Sequence, residues 1–109
     1  MKWKVEFLKE AQKDLKKLNP YTAKLVLKAI DKTAERPLPA PEGIGKPLGN
    51  LASSKLSGYY KIKLKSIGYR VVYGLIRKDN VMKIIVISVR EDDQVYKEAE
   101  RRIQKDKQQ

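Results

Sequence analysis

Three cations in one stretch of sequence form the pattern best suited to chemistry. Residues 59–73 read YYKIKLKSIGYRVVY. In the first part of this stretch Lys61 and Lys63 alternate with apolar residues, which is the two-residue period of a β-strand. The second part, which contains Arg70, is rich in the β-branched and aromatic residues that favour strands. The sequence therefore predicts a hairpin that presents a row of cations on one face of a sheet.

The hydrophobic pattern also predicts the register of this hairpin. A loop at residues 65–68, a common hairpin length, pairs Leu64 with Tyr69 and Lys63 with Arg70. A slip by one residue would place Arg70 among the apolar side chains, so the pattern favours the first register. Like charges directly opposite one another destabilise a sheet, and we therefore expect these cations to be kept for an anion. The cations expected to bind it are Lys61, Lys63, Lys65 and Arg70.

The size and charge of the chain limit its class. Its 109 residues suffice for one domain with a modest core, and we expect residues 1–109 to form a single domain. A hydrophobic content of 41% is too high for a disordered chain. The net charge of +12 predicts binding to nucleic acid, to an acidic partner or to an anionic membrane.

The residue types that are missing exclude several kinds of site. The sequence has neither cysteine nor histidine, which excludes disulfides and thiolate catalysis and argues against a structural zinc site. We expect no metal and no cofactor. No apolar run approaches the roughly 20 residues that span a bilayer, and the first residues lack the apolar region of a signal peptide. A cytoplasmic location without membrane contact is the resulting expectation.

The amino-terminal part of the chain predicts one strand and two helices. Residues 2–7 alternate as a strand does, whereas residues 8–18 place leucines and an alanine at helical spacing. Asn19 is a favourable N-cap and Pro20 a favourable first helical residue, so a second helix should follow and end near Glu35, before a proline-rich segment. The face of this helix expected to meet the core carries Leu25 or Val26, Ala29, Ile30 and Thr33.

A long irregular segment should connect the helices to the hairpin. Leu48 and Leu51 are expected to hold this segment, residues 37–58, against the core. Its glycines have the spacing of neither a P-loop nor a dinucleotide-binding loop. We interpret them as ordinary turns, and they are Gly43, Gly45 and Gly49.

The sequence after the hairpin predicts another strand. A three-residue turn that ends at Asn80, in the left-handed region, would suit this connection. Residues 81–89 are nearly all apolar, as expected of an interior strand. With such a turn Arg70 would pair with Ser88, and Arg90 would point to the same face as Arg70.

A final short helix completes the predicted architecture. Asp93 is its expected N-cap, Val95, Ala99 and Ile103 repeat at four-residue spacing, and residues 104–109 should fray. The expected fold class is α+β: an antiparallel sheet of about four strands, an amino-terminal helical hairpin packed on one face, and a short carboxy-terminal helix. We expect the helices to cover one face of the sheet and the face with the cations to stay open.

The order of these elements and their residues resemble the RelE toxins of the RelE/ParE superfamily, which are bacterial toxin–antitoxin mRNA interferases. The resemblance is most specific in YKIKLKSIGYRVVYGLI and in VISVRE..QVYKEA..RI. It implies a compact α+β toxin that enters the ribosomal A site, cuts the bound mRNA without a metal, and is inhibited by a RelB-like antitoxin in an oligomeric complex.

The resemblance also implies which residues form the active site. The lysine pair of the family's YKIKL segment falls on Lys61 and Lys63, and the arginine of its GYR falls on Arg70. The tyrosine near the start of the last helix falls on Tyr96, and a further arginine before it on Arg90. This sequence lacks the Gly-Lys-like pair that usually precedes that arginine, so the assignment of Arg90 is the one affected.

These residues fit cleavage of RNA by its own 2′-OH. The reaction needs a base for that hydroxyl, cations for the phosphorane, and an acid for the leaving oxygen. Without histidine the base would be Tyr96, if neighbouring cations and a helix N-terminus lower its pKa from the value near 10 seen in model peptides. Lys61, Lys63 and Arg70 would stabilise the phosphorane. Arg90 or a lysine would protonate the leaving group.

Other interpretations are possible from the same residues. A toxin of the ParE branch, which inhibits DNA gyrase through protein contacts, shares the fold but generally lacks this cationic set. A third interpretation is an RNA-binding module without activity. Without the resemblance, the lysine row would be a solvated face, and Tyr96 a helix residue that packs its ring on the sheet. The acidic residues 91–93 are more plausible as a helix cap than as a metal site.

Overall fold

The computed structural model describes residues 2–48, 56–89 and 91–107. Within these ranges the chain forms three α-helices and one five-stranded sheet. The elements are β1 (Lys4–Phe7), α1 (Lys9–Lys16), α2 (Pro20–Glu35), β2 (Lys46–Pro47), β3 (Tyr59–Leu64), β4 (Tyr69–Ile76), β5 (Val81–Ser88) and α3 (Asp92–Lys107).

The strand order of the sheet is β1-β5-β4-β3-β2. The predicted interior strand is confirmed, because β5 lies between β1 and β4. Two features differ from the expected antiparallel sheet of about four strands. The first is an additional strand, β2, which pairs with β3 and has only two residues, too few to show a period. The second is that β1 runs parallel to β5. Alternation predicts a strand but specifies neither its neighbour nor its direction.

The register of the central hairpin is the predicted one. Leu64 lies opposite Tyr69, and Lys63 lies opposite Arg70. Most large apolar residues of both strands pack on one side, whereas Tyr59 and Val72 pack on the other side with Leu48. The alternating pattern was therefore sufficient to select this pairing.

The connection between β4 and β5 differs from the predicted turn by one residue. Ile76 pairs with Val81, so four residues separate the strands, and Asn80 adopts the expected left-handed conformation with φ 53°. Further from the turn the register shifts by one between Tyr73 and Val72, because β5 contains an additional residue, Ile85, at that point. The shift compensates for the longer turn, and Arg70 pairs with Ser88 as predicted.

The helical hairpin covers one face of the sheet. Asn19 caps α2, since its Oδ1 accepts a hydrogen bond of 2.8 Å from the backbone N–H of Thr22. Val26, and not Leu25, is the buried residue of the first turns of α2. The buried residues of this first core cluster are Ala11, Val26, Ile30, Ala34, Tyr60, Val71, Tyr73, Met82, Ile84 and Ile87.

The third helix packs on the opposite face, and the expectation that this face stays open was wrong. Val95, Ala99 and Ile103 of α3 are buried against Val72 and Val86 of the sheet. Four-residue spacing showed which side of the helix is apolar, but it did not show which face of the sheet that side would cover. The cations of the hairpin therefore share their face with α3.

The length of α3 also differs from the prediction. With 16 residues, α3 is as long as α2 and is not short. It continues to Lys107, whereas fraying was expected from residue 104 onwards. The helix begins at Asp92, and the backbone N–H of Val95 bonds to the carbonyl of Glu91 at 3.0 Å. Asp93 therefore lies inside the first turn and is not the N-cap.

A buried ion pair connects α3 to α1 and to the sheet. Arg102, whose side chain is 9% exposed, donates to both carboxylate oxygens of Asp14, at 2.7 and 3.1 Å. The same guanidinium donates to the carbonyl of Ile85 at 2.9 Å, and Asp14 accepts the N–H of Ile87 at 3.0 Å. Strand β1 ends at Phe7, opposite Ile84. The ion pair thus satisfies backbone groups in the part of β5 that continues past the end of β1.

Glu98 extends this network along α3. Its carboxylate accepts hydrogen bonds of 2.7 Å from both Arg101 and Arg102. The hydrogen bond from Arg101, assisted by that from Arg102, lowers the pKa of Glu98 from 4.5 to about 2. Arg101 also donates to Glu10 of α1 at 2.6 Å and lowers its pKa. Two arginines of α3 therefore contact carboxylates of α1.

The irregular segment after α2 is fixed to the core where the structure describes it. Leu48 is buried as expected, while Leu51 and Gly49 lie outside the described residues. The hydroxyl of Tyr73 donates to the carbonyl of Pro37 at 2.9 Å. Gly45 lies beside this bond, and a Cβ there would be 2.8 Å from the Tyr73 hydroxyl. Among the described helices, no stretch is long and apolar enough to cross a membrane.

The lowered pKa of Glu98 predicts how stability depends on pH. A carboxylate whose pKa is lower in the folded state stabilises the protein above its unfolded pKa and loses that effect as pH falls through the folded value. Between about pH 6 and about pH 3, the parent protein should lose roughly 1 to 2 kcal/mol more unfolding free energy than Glu98→Gln. Denaturant unfolding at both pH values measures this difference. Equal losses in the two proteins would contradict the role of Glu98.

Candidate functional site

Three of the predicted site residues lie together on the face that carries α3. Lys61 and Lys63 are on β3, and Arg70 is on β4 directly opposite Lys63. Lys63 is exposed, whereas Lys61 and Arg70 are half-buried. The strand alternation that buries Tyr60 and Val71 on the other face is what directs these cations to this one.

Tyr96 of α3 meets these cations. Its ring is buried, with the residue only 3% exposed, among the apolar residues between α3 and the sheet. Lys61 Nζ donates a hydrogen bond of 3.3 Å to Tyr96 Oη. Tyr96 therefore combines both interpretations of the sequence: its ring packs on the sheet, and its hydroxyl contacts the predicted site.

Lys65 lies at the tip of the hairpin. It lines a small cavity of about 250 Å³ together with Lys63 and Arg70. Three of the four predicted anion-binding cations thus line one cavity. The fourth, Lys61, lies two residues before Lys63 on β3. Such a concentration of cations is suited to a phosphate backbone.

Arg90, the remaining predicted site residue, lies outside the described residues. Ser88, the last residue of β5, is opposite Arg70. Among the residues that the structure describes, no cluster of three or more carboxylates is placed to hold a metal ion.

Lys46 is a further cation on this face that the sequence analysis missed. It lies on β2 directly opposite Lys61, and residues directly opposite in an antiparallel pair project to the same side of the sheet. Lys46 is exposed. A two-residue strand has no visible period, and the only sequence signal was Pro47, since the residue before a proline is biased to extended conformations.

Comparison with known proteins establishes the family. The sequence model described as the ParE toxin of the type II toxin–antitoxin system parDE matches residues 5–96. The chain belongs to the RelE/ParE superfamily of toxins. The mRNA interferase toxin RelE of Escherichia coli strain K12 is 32% identical over 106 residues, which cover 94% of this chain and 99% of that protein.

Solved structures agree with a toxin of the RelE type. A double mutant of the E. coli toxin RelE in the free state aligns with a TM-score of 0.72 at 30% identity, covering 94% of this chain and 99% of the other. The toxin of the intact E. coli RelBE toxin–antitoxin complex aligns with a TM-score of 0.62 at 29% identity, covering 82% and 98%. This RelE-type chain is therefore the toxin of a type II toxin–antitoxin system.

The position of Lys46 predicts its contribution to anion binding. Lys46→Ala should weaken binding of a single-stranded RNA, used as a flexible polyanion, and reduce the slope of log affinity against log salt by about one unit. Lys32→Ala is the matched control, because Lys32 is exposed on α2, which covers the other face. Fluorescence anisotropy at several salt concentrations provides the measurement. If both variants change the slope equally, Lys46 has no special place in the site.

Proposed function

We propose that this toxin is a ribosome-dependent endoribonuclease that cuts mRNA in the ribosomal A site and thereby stops translation. The observation that supports this most directly is the 3.3 Å hydrogen bond from Lys61 Nζ to Tyr96 Oη. The candidate base is thus in contact with Lys61, which lies two residues from Lys63 on β3. The name of the E. coli relative, an mRNA interferase, supports the choice of substrate.

The proposed reaction uses the 2′-OH of the RNA as the nucleophile. Tyr96, as phenolate, accepts the proton of that hydroxyl at Oη and becomes a neutral phenol, and the 2′ oxygen forms a bond to the adjacent phosphorus. The bond from phosphorus to the 5′ oxygen breaks, and the leaving oxygen takes a proton from Arg90 or a lysine. The products are a 2′,3′-cyclic phosphate and a 5′-OH. In this scheme Tyr96 supplies the base, and lysines and arginines supply the acid and the positive charge, so no metal or cofactor takes part.

The cations have separate tasks in this mechanism. An ammonium group beside Tyr96, as Lys61 provides, stabilises negative charge on the phenol oxygen. Arg70 and Lys63, directly opposite each other, would hold the phosphate and the charge that develops on the phosphorane. Such electrostatic stabilisation is often the largest catalytic contribution. A guanidinium can make two parallel hydrogen bonds to a phosphate, which a lysine cannot do.

The burial of Tyr96 supports a role for the ribosome. At 3% exposure, the ring is covered by the packing of α3 on the sheet, and an RNA 2′-OH must still come within hydrogen-bonding distance of Oη. We infer that the first turn of α3 shifts when the toxin binds a ribosome. The ribosome would also exclude water and hold the mRNA with its 2′-OH in line.

The purified toxin should bind RNA in a salt-sensitive way and yet cut naked mRNA very slowly. Ribosomes programmed with mRNA and with an empty A site should accelerate cleavage by orders of magnitude, and the products should end in a 2′,3′-cyclic phosphate. Tyr96→Phe should slow this step by about 10²- to 10⁴-fold without weakening ribosome binding. Single-turnover cleavage and mapping of mRNA ends measure these rates and products.

Arg70→Ala should relieve growth arrest at equal expression, as measured by the growth of the expressing cells.

Two controls separate catalysis from folding. Tyr21→Phe removes a hydroxyl from a tyrosine that is exposed on α2, and Arg36→Ala removes an exposed guanidinium after α2. Both should retain full activity. Rapid cutting of naked RNA would overturn the need for the ribosome, and full toxicity of Arg70→Ala would refute the site. DNA damage with intact mRNA in the expressing cells would support gyrase inhibition instead.

We further propose that a RelB-like antitoxin, in an oligomeric complex, inhibits the toxin by covering the cationic face. The charge of +12 favours an acidic antitoxin segment, and the E. coli relative has been solved in complex with its antitoxin. We expect an antitoxin helix that blocks or displaces Tyr96 and α3. A crystal structure of the complex tests this. An antitoxin seated only on the outer side of α1 and α2 would contradict it.

A further inference from the structure

A second cavity lies on the same face of the sheet as the cations, at the other end of α3. It has a volume of about 460 Å³. Tyr59 and Gly74 of the sheet line it, as do Ile103 and Lys107 of α3. Neither the proposed cleavage chemistry nor the core requires a cavity of this size at this position.

An aromatic ring forms one wall of this cavity. Tyr59 is directly opposite Gly74, and a Cβ on Gly74 would come within 2.6 Å of Tyr59 Cε2. The missing side chain thus allows the ring to lie against the backbone of β4. Burial raises the pKa of the Tyr59 hydroxyl, partly offset by Lys83, so the ring stays an uncharged phenol. It is half-buried and remains accessible from the cavity.

Cations border this aromatic wall. Arg77 and Lys107 line the cavity and are exposed. Lys83 also lines it and donates to Asp106 at 2.9 Å. Among the lining residues that the structure describes, three cations therefore accompany one carboxylate. An aromatic surface beside excess positive charge is the combination with which proteins bind single-stranded nucleic acid without sequence preference.

The cavity is in line with the proposed cleavage site. Tyr59 precedes Lys61 by two residues on β3, so both side chains project to the same face, about 7 Å apart. Along α3, Ile103 follows Tyr96 by seven residues, about two helical turns. A nucleotide strand held at Lys61 could therefore place a neighbouring base in the cavity.

We propose that this cavity is a subsite for a nucleotide that flanks the cleaved phosphate. The base stacks on Tyr59, and the phosphate of that nucleotide lies towards Arg77 and Lys107. The subsite rests on the proposed function for its role in cleavage, but RNA binding to it does not require catalysis. It would hold the strand in register while the mRNA is cut.

Fluorescence of a stacking-sensitive base provides the test, without ribosomes and without cleavage. Short single-stranded RNAs carry the adenine analogue aminopurine at successive positions and a 2′-O-methyl block against cutting. The unaltered toxin should quench the analogue at one flanking position. Tyr59→Leu should abolish the quenching and weaken binding about tenfold, whereas Tyr59→Phe should retain both. Tyr21→Leu, which removes a tyrosine 70% exposed on α2, is the matched control and should change neither.

Each outcome decides the proposal. Quenching at no position with the unaltered toxin, while the RNA still binds, overturns the subsite and does not depend on any variant. A second result would also overturn it: polyphosphate binds as tightly as RNA, and Tyr59→Leu weakens the binding of neither. The site would then recognise charge alone. Arg77→Ala should reduce the salt dependence of RNA binding by about one unit. Quenching without ribosome-dependent cleavage would support the subsite and refute the proposed enzyme.

Discussion

The buried pair of Asp14 and Arg102 is the interaction on which the arrangement of this fold depends. Strand β1 ends at Phe7, opposite Ile84, although β5 continues to Ser88. An unpaired backbone group in the interior costs free energy comparable to a lost hydrogen bond. The carboxylate and the guanidinium replace the missing strand by bonding to the N–H of Ile87 and the carbonyl of Ile85. Because Arg102 belongs to α3, the same contacts hold this helix on the face of the sheet that carries Lys61.

A bulge in β5 changes which of its side chains face each of the two core clusters. Val72 pairs with Val86 and Tyr73 with Ile84, so Ile85 is the additional residue. As a consequence Ile85 and Val86 both pack towards α3, while Ile84 and Ile87 pack towards the helical hairpin. A strictly alternating strand cannot bury two successive residues on one face. The sequence of β5 is apolar almost without interruption because the strand is buried on both faces.

The sequence predicted what a local pattern can specify. The pairing of Lys63 with Arg70 follows from alternation, and the cap at Asn19 follows from its side chain. The face that α3 covers could not be predicted, because the spacing of Val95 and Ala99 is the same for either face. The pairing of Arg70 with Ser88 was predicted correctly from a turn one residue too short, since the bulge offset the error.

The site shows the same division between local and long-range information. The lysines of β3 were recognisable because a strand of six residues shows its period, whereas Lys46 belongs to a strand of two. The contact of Lys61 with Tyr96 joins positions 35 residues apart. Only the family resemblance indicated that contact from the sequence. The positions of Tyr59 and Gly74 became meaningful once the structure placed them opposite each other.

The parallel pairing of β1 with β5 has a consequence for the order of synthesis. Lys4 pairs with Val81, and Asp14 bonds to Arg102 across 88 residues, so the first elements of the chain cannot reach their final positions until nearly all of the described residues have been made. Contacts between distant parts of a sequence also form slowly. The cations of the β3–β4 hairpin are therefore synthesised well before α3, and the contact of Lys61 with Tyr96 forms only after the start of that helix has been made.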